Sequence, residues 1–344
     1  MDTPVYVFDK NEIIKCYRLI KKLMGNIPIF YTLKANANKE VLKVLASINA
    51  DFDVASLGEY NILKEIGISS KKIICGLPVK PINWLEHMYK DGCNCFVFDT
   101  IEELAKIKKY APNAQKILRV GITDILPYCI DFGMTYDEIM ARTLADARFK
   151  EDTDGILFHI SNNVSVEAFN HVFERIECIL KVFDKKDMIV NIGGGYRINA
   201  EPIFFANLKQ KLLYLKEKYG VNVIAEPGNT VVNTSGCILT TVIGIRKRDD
   251  FHYDLYIDAG KPSGIKTDEK RIPGFIRQTI VHNICDEREY RFVDITCMHR
   301  PHFSIKLHTE VREGDIFEFG DMGAYTLCLR SDFHAWSVPN VIVK

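Results

Sequence analysis

The sequence predicts an α/β protein in which a (β/α)8 TIM-like barrel is followed by a mostly antiparallel β domain. Three observations favour this fold. Short apolar runs alternate with helical patterns as far as residue 226, strand-like runs then follow one another with little helix between them, and 344 residues of which 47% are hydrophobic can bury a large core. Alternating strands and helices indicate a parallel sheet, and eight such units favour its closure into a barrel.

Eight apolar runs in the first part of the chain have the length and composition of buried strands. They lie at residues 28–33, 51–54, 72–75, 95–98, 117–121, 155–159, 188–193 and 222–226. Between them, apolar residues recur at helical spacing. The predicted helices lie at residues 39–48, 57–66, 84–89, 101–110, 137–145, 166–183 and 208–219, preceded by a strand at 5–8 and a helix at 11–23.

The pattern changes after residue 229. Strand-like runs lie at residues 231–232, 238–245, 253–257, 289–295, 316–319 and 324–329. Consecutive strands without intervening helices are typical of antiparallel sheets. We therefore expect residues 10–235 to form the barrel, and residues 1–9 and 236–344 to form a β domain that also takes the N-terminal strand.

Composition argues against several classes of partner. The chain carries 45 basic and 45 acidic residues, so its formal net charge is zero. This balance gives no electrostatic reason to expect nucleic acid or an anionic membrane as partner. No apolar run is long enough to cross a bilayer, and the N-terminus does not resemble a signal peptide, so we expect a soluble cytoplasmic protein.

The ten cysteines lie mostly inside apolar runs, which favours buried free thiols over disulfides. Cys93 and Cys95 lack a second cysteine pair, and His299 and His302 lack a third ligand nearby. A zinc site needs four ligands, or three and a water, so no metal is expected.

Ionisable residues and glycines collect at the ends of the predicted strands. The strand ends carry Lys34, Asp53, Gly76, Asp99, Arg119, His159, Gly193, Gly194, Gly195 and Glu226. The carboxyl ends of barrel strands share one face, and active sites lie there. This concentration predicts an active site at the mouth of the barrel.

The residue types at these strand ends suggest a chemistry. A lysine such as Lys34, held against an apolar wall, has a lowered pKa and can form an imine with an aldehyde. A buried carboxylate such as Glu226 can hold a pyridine nitrogen protonated, which makes the ring an electron sink. Lys34 could instead be a surface lysine that starts a loop, and Glu226 could be an ordinary turn residue.

The glycine triplet and the histidine fit the same picture. Backbone N–H groups of Gly193, Gly194 and Gly195 can cradle a phosphate, although a tight turn explains them equally well. His159 ends an apolar strand, where it can lie against a flat ring or act as an ordinary core residue.

Several motifs together resemble those of the fold-type III pyridoxal phosphate decarboxylases, the group that includes diaminopimelate, ornithine, arginine and lysine decarboxylases. The resemblance runs from residue 3 to residue 326 and keeps its order. Its motifs are YTLKAN at 31–36, FDVASLGE at 52–59, FD at 98–99, FH at 158–159, GGG at 193–195, EPG at 226–228 and GAYT at 323–326.

The resemblance implies pyridoxal 5'-phosphate as the cofactor and gives roles to matching residues. Lys34 would hold the cofactor as an imine, His159 would stack on its ring and Glu226 would pair with its pyridine nitrogen. The remaining cofactor-binding residues implied are Asp53, Glu59, Arg119, Asn162, Gly193, Gly194, Gly195, Gly228 and Tyr325.

The same resemblance implies a head-to-tail homodimer with shared active sites, in which the β domain contributes to the substrate site and the dimer interface. Cys297 would enter the partner subunit's site and return a proton after carbon dioxide leaves. Arg277, Cys297 and Tyr325 would contact an amino-acid substrate. The motif FIRQTIVH at residues 275–282 resembles diaminopimelate decarboxylases, in which the arginine binds the far carboxylate, but a basic substrate side chain also remains open.

Departures from the family pattern keep alternatives open. Asn229 stands where an arginine is usual after EPG, Asp131 replaces a basic residue, and Met298, His299 and Arg300 follow Cys297 where an aspartate is expected. The alternatives are a pyridoxal phosphate-dependent racemase and a regulatory homologue that has lost turnover. Lys34, Cys297 and Glu226 favour the decarboxylase.

Overall fold

The computed structural model describes residues 2–127, 132–160, 165–197, 202–265, 273–294, 296, 303–336 and 338–344. The chain forms two units, one of Lys15–Thr230 and one of Met1–Ile14 with Val231–Lys344. Each has its own eight-stranded sheet.

The barrel strands come in the order in which the sequence predicts them. After β1 (Val5–Phe8), they are β2 (Phe30–Thr32), β3 (Asp51–Val54), β4 (Ile73–Cys75), β5 (Cys95–Phe98), β6 (Gln115–Arg119), β7 (Gly155–Leu157), β8 (Ile189–Asn191) and β9 (Asn222–Ile224). Neighbouring strands from β2 to β9 pair in parallel.

The barrel closes between its first and last strands. Ile29 and Ala225 form a parallel bridge, and the Phe30 amide donates to the Ala225 carbonyl at 2.8 Å. Apolar side chains from five strands fill the interior. They are Ile74, Cys95, Val97, Ile117, Leu157 and Ile224. The predicted barrel is confirmed, and the strand ends at its mouth are held on a packed core.

Helices alternate with these strands. They are α1 (Lys10–Leu23), α2 (Lys39–Ser47), α3 (Leu57–Glu65), α4 (Ile82–Lys90), α5 (Ile101–Tyr110), α6 (Tyr136–Ala145), α7 (Ala147–Asp152), α8 (Val166–Phe183), α9 (Pro202–Tyr219) and α10 (Asn229–Val232). Side-chain caps begin several of them, as where the hydroxyl of Thr135 accepts from Glu138 N and the Glu138 carboxylate accepts from Thr135 N. The apolar residues that recur at helical spacing in α8, from Phe169 to Phe183, are buried.

The second unit is a mostly antiparallel sheet. Its further strands are β10 (Gly236–Lys247), β11 (His252–Ile257), β12 (Ile276–Gln278), β13 (Ile284–Asp294), β14 (Phe303–Thr309), β15 (Ile316–Phe319) and β16 (Asn340–Val343). The order is β12-β15-β10-β11-β13-β14, and β1 pairs with β10 and β16. Only two of these pairings, β1 with β16 and β11 with β13, are parallel among the residues described.

Two predicted strands of this unit are wrong. Residues 231–232 lie in the short helix α10, since two β-branched residues alone do not define a strand. Residues 324–329 contain a 3-10 turn at Leu327–Leu329 instead. Tyr325 there has a φ of 53°, a left-handed conformation that interrupts extended backbone.

The cysteines are only partly as expected. Cys16, Cys75, Cys93 and Cys95 are buried, whereas Cys178 is exposed. In the part of the chain that the structure describes, no cluster of three or more His, Cys, Asp or Glu side chains is arranged for a metal ion. His299 and His302 lie outside the described residues. None of the described helices is both long and apolar enough to span a membrane.

Candidate active site

The barrel brings the predicted charged residues to one site at the carboxyl ends of its strands. Lys34 and Arg119 act electrostatically on Asp53, His159 and Glu226, although the five residues come from five different strand ends. Charges shift the pKa of a neighbouring group appreciably only when the two groups are close together in a partly buried site. The structure therefore assembles a cluster of two cations, two acids and an imidazole.

Lys34 lies on a 3-10 turn directly after β2, and its neighbours Leu33 and Ala35 are buried. The turn is braced by Tyr31, whose hydroxyl donates to the Asn36 carbonyl at 2.9 Å. The Lys34 side chain itself is exposed. The expectation that it packs against an apolar wall is wrong, because the turn directs its two neighbours into the core and leaves the lysine among charged groups.

Asp53 and Glu226 are buried carboxyl groups, only 5% and 7% exposed. Burial raises the pKa of Asp53, and Lys34 opposes that shift. Burial, together with the charge of Asp53, raises the pKa of Glu226 to about 8. Two buried acids near each other cannot both ionise cheaply, so this pair favours a cation between or beside them.

The Asp53 carboxylate accepts a hydrogen bond from the Gly76 amide at 3.0 Å. The loop that carries Gly76 is fixed by Lys80, a fully buried lysine. The Lys80 ammonium donates to the Leu77 carbonyl at 2.9 Å and to the Val97 carbonyl at 2.5 Å, and it pairs with Glu103 at 3.0 Å. The sequence did not predict this buried ion pair, since lysine is usually exposed and the residues around Lys80 do not indicate that it is buried.

Glu59 supports the same region from the start of α3. Its carboxylate accepts from the Ala55 amide at 2.7 Å, while the Ser56 hydroxyl accepts from Glu59 N at 3.1 Å. Burial raises the pKa of Glu59, and the charge of Asp53 adds to the shift. Glu59 thus closes the turn between β3 and α3 and lies within electrostatic reach of Lys34.

His159 is held as a neutral ring. Burial, Lys34 and Arg119 lower the pKa of His159 to about 3. The Gly194 amide donates to its Nδ1 at 3.2 Å, so the single ring proton lies on Nε2. A neutral imidazole of fixed orientation can stack on a cationic heterocycle without charge repulsion.

The glycine turn after β8 lies too close to its neighbours for side chains. A Cβ on Gly193 would lie 2.4 Å from the Phe158 carbonyl oxygen, and one on Gly194 would lie 2.6 Å from the Glu226 carbonyl oxygen. The first two amides are bonded within the protein, Gly193 N to Asn191 Oδ1 at 2.9 Å and Gly194 N to His159. Gly195, with a φ of 96°, is the member of the triplet left as a candidate phosphate donor.

Arg119 ends β6 and Asp99 follows β5, so both are further charged residues at the ends of barrel strands. The guanidinium of Arg119 lies over the Phe132 ring, 5.2 Å from its centroid. Asp99 accepts from the Gly133 amide at 3.3 Å through one oxygen. Its other oxygen is buried and has no hydrogen-bond partner among the described residues, which is typical of a polar atom next to a ligand site.

The remaining predicted site residues are less informative. Gly228 packs against the Lys34 turn, since a Cβ there would lie 2.5 Å from Thr32 Cγ2. Arg277, on β12, has a side chain that is 66% exposed and forms an ion pair with Glu318 on β15. Tyr325 lies in the second unit on an irregular segment. Cys297 and Asn162 lie outside the described residues.

Comparison with known proteins identifies the family. Residues 10–233 match the family model described as "Pyridoxal-dependent decarboxylase, pyridoxal binding domain". This chain belongs to the pyridoxal-dependent decarboxylases. Its cofactor is accordingly pyridoxal 5'-phosphate, and its reaction is the decarboxylation of an amino acid.

Two curated relatives illustrate the similarity of this decarboxylase. Ornithine decarboxylase of Schizosaccharomyces pombe is 27% identical over 363 residues, which cover 98% of this chain and 82% of that one. Antizyme inhibitor 2 of Xenopus laevis is 26% identical over 251 residues, which cover 69% of this chain and 55% of that one. The second alignment thus spans little more than half of its relative.

Solved structures share the fold of this decarboxylase. Arginine decarboxylase of Paramecium bursaria Chlorella virus has a TM-score of 0.89 at 24% identity and covers 100% of this chain and 97% of that one. Lysine/ornithine decarboxylase of Vibrio vulnificus has a TM-score of 0.87 at 22% identity, covering 99% and 94%. At these identities the likeness concerns the fold alone.

The donor set fits pyridoxal phosphate. Lys34 offers an exposed primary amine, Glu226 and Asp53 offer buried acids that favour a cation, and His159 offers a neutral flat face. Gly195 follows in a turn that approaches the backbone of two strands. When bound, the cofactor supplies the electron sink that decarboxylation requires.

The raised pKa of Glu226 predicts a pH-dependent stability. Its folded-state pKa of about 8 exceeds the ordinary 4.5, so the folded protein favours the protonated acid. This contribution is complete below pH 4.5 and is lost as pH rises to 8. Without cofactor, Glu226→Gln should increase the free energy of unfolding at pH 8 by about 1–3 kcal/mol and have little effect near pH 5.

Urea unfolding at the two pH values measures this difference. Glu217→Gln, an exposed change on α9, is the matched control and should leave the free energy of unfolding unchanged at both. Equal stability of Glu226→Gln and the natural protein at pH 8 would contradict the raised pKa.

A methyl group on the glycine turn should be costly. Gly194→Ala places a Cβ against the Glu226 carbonyl, so we expect a loss of about 1–3 kcal/mol in the free energy of unfolding. Gly58→Ala, at the second residue of α3 with only Ser56 Oγ at 3.6 Å, should be neutral or stabilising. Thermal unfolding of the two variants compares them, and similar midpoints would mean that the turn relaxes freely.

Proposed function

We propose that this decarboxylase acts on an amino acid with a basic side chain, such as ornithine, lysine or arginine. Decarboxylation rests on the group of Lys34, Asp53, His159 and Glu226 at the mouth of a pyridoxal-binding barrel. The choice of a basic side chain rests on the ion pair of Arg277. The relatives and structural neighbours that support the substrate class include ornithine, arginine and lysine/ornithine decarboxylases.

Arg277 bears on the choice of substrate. A receptor for a distal carboxylate, as in diaminopimelate, needs a guanidinium whose charge is not already matched. Arg277 is paired with Glu318 across neighbouring strands. This pairing argues against a diaminopimelate-like substrate and is the reason for favouring a basic one.

Each of the five clustered residues at the mouth of the barrel has a role in this proposal. Lys34 would bind the aldehyde of the cofactor, and its exposed position would keep the amine accessible to a substrate amine. Glu226 would accept a hydrogen bond from the protonated pyridine nitrogen, and Asp53 would supply a second acid near it. His159 would present a neutral face to the ring. Arg119 supplies a cation that favours ionisation of both acids.

The subunit arrangement belongs to the proposal as well. We infer a head-to-tail homodimer in which Cys297 of one subunit returns the proton in the active site of the other, and Tyr325 lies near the cofactor phosphate. The likeness of Cys297 and of the GAYT motif at residues 323–326 to the family pattern supports this arrangement. A cytoplasmic location also belongs to the proposal.

Substitution of Lys34 tests the site directly. Lys34→Ala should reduce carbon dioxide release at least a thousandfold, because covalent activation through the lysine amine contributes by about that factor or more. Borohydride treatment followed by peptide mapping should label residue 34 in the natural protein and leave Lys34→Ala unlabelled. Lys39→Ala, an exposed lysine at the start of α2 that pairs with Glu65, is the control and should keep full activity and labelling.

A substrate screen tests the chemical class. Ornithine, lysine, arginine and diaminopimelate are supplied separately, and both carbon dioxide release and loss of optical rotation are measured. We expect carbon dioxide from one or more basic amino acids. Racemisation without carbon dioxide release would favour the racemase, and a bound cofactor without turnover on any substrate would favour the regulatory homologue.

Arg277→Gln refines the result. An exposed ion pair contributes about 1 kcal/mol or less, so kcat/KM for the basic substrate should fall less than about fivefold. A loss of about a hundredfold, restricted to diaminopimelate as substrate, would instead identify Arg277 as a carboxylate receptor.

A further inference from the structure

Asn191, the last residue of β8, was not among the residues predicted for the site. It is 1% exposed, and both ends of its side-chain amide are hydrogen-bonded. Its Oδ1 accepts from the Gly193 amide at 2.9 Å, and its Nδ2 donates to Glu226 Oε1 at 2.5 Å. One buried side chain therefore joins the glycine turn to the acid at the end of β9.

Backbone bonds complete this connection. The Glu226 amide donates to the Gly193 carbonyl at 2.7 Å, and the Gly194 amide donates to His159 Nδ1 at 3.2 Å. The turn thus links the ends of β7, β8 and β9. Because the Asn191 oxygen must face the Gly193 N–H, its NH₂ group must face Glu226, and a flipped amide would oppose donor to donor and acceptor to acceptor.

The chemistry of the position favours an amide over the isosteric acid. The Asn191 donor, Lys34 and Arg119 stabilise the anion of Glu226, whereas burial and Asp53 oppose it. An aspartate at 191 would accept from Gly193 equally well. Once ionised, however, it would offer Glu226 no donor and would add a third carboxylate to a buried pair.

We propose that Asn191 is a positioning residue that holds Glu226 as an oriented anion for the pyridine nitrogen of pyridoxal 5'-phosphate. The proposal rests on the role of Glu226 in the proposed function and deepens it. A neutral carboxamide, bonded to Glu226 and to Gly193, thereby contributes to the affinity and the ring protonation of the cofactor.

The test begins with Asn191→Asp in the full-length protein. Pyridoxal 5'-phosphate is titrated into cofactor-free protein, and binding is followed by absorbance and by quenching of intrinsic fluorescence. Loss of a hydrogen bond to a charged group predicts an affinity roughly tenfold or more lower, with an altered pH dependence of the bound absorption band. Asn222→Asp, an exposed asparagine at the start of β9, is the control and should bind as the natural protein does.

An exchange variant separates positioning from packing. Asn191→Asp combined with Glu226→Gln restores one donor and one acceptor between the two positions, and residue 191 still accepts from Gly193. Thermal stability should return towards that of the natural protein, whereas cofactor affinity should stay low, because the acid has moved away from its site. Return of both properties would mean that Asn191 serves packing alone and would overturn the proposal.

The outcomes also distinguish this inference from the proposed function. Asn191→Asp that binds the cofactor within twofold of the natural protein, while the natural protein releases carbon dioxide, overturns only the inference. A natural protein that binds the cofactor but turns over no amino acid, with affinity still lost in Asn191→Asp, overturns only the proposed function. A natural protein that does not bind the cofactor overturns both.

Discussion

Two carboxyl groups buried side by side at the mouth of the barrel impose the constraint on which the site depends. Neither Asp53 nor Glu226 is stable there as an anion unless a donor or a cation compensates it. The Gly76 amide, the Asn191 amide and the charges of Lys34 and Arg119 provide part of that compensation. A protonated heterocycle can supply the remainder.

The barrel makes such a costly arrangement tolerable. Its strands end on a closed ring of hydrogen bonds above a filled apolar core, and such close-packed interiors resist rearrangement. Loops after these strands are fixed by buried polar contacts, as Lys80 fixes the one that carries Gly76. The rigid scaffold therefore keeps the two acids close together, whereas on a flexible surface they would move apart.

Much of this arrangement was predictable from the sequence, and the exceptions have a physical cause. Barrel strands are short apolar runs with local helices between them, so the pattern alone located all eight. The sequence pattern did not predict β12 and β16, which are only three and four residues long. Each is extended because it pairs with a strand far away along the chain, β12 with β15 and β16 with β1. The alternation of Phe303, Ile305 and Leu307 in β14 carried a strand pattern that could have been used.

The same distinction applies to the site. Lys34, His159 and Glu226 stand at strand ends, and that position in the sequence is enough to bring them together. The sequence does not indicate a role for Asn191, because that role depends on its hydrogen bond to Glu226, which follows the neighbouring strand β9. The exposure of Lys34 also depends on a turn whose direction is set by the burial of Leu33 and Ala35.

The lowered pKa of His159 has a consequence for enzymology. With a pKa of about 3, this imidazole keeps one protonation state across the range in which the enzyme is assayed. An inflection near neutrality in a plot of rate against pH cannot be assigned to it, although histidine is the residue to which such inflections are customarily attributed. In the cofactor-free protein it is the Glu226 carboxyl, with its pKa raised to about 8, that titrates where an imidazole normally does.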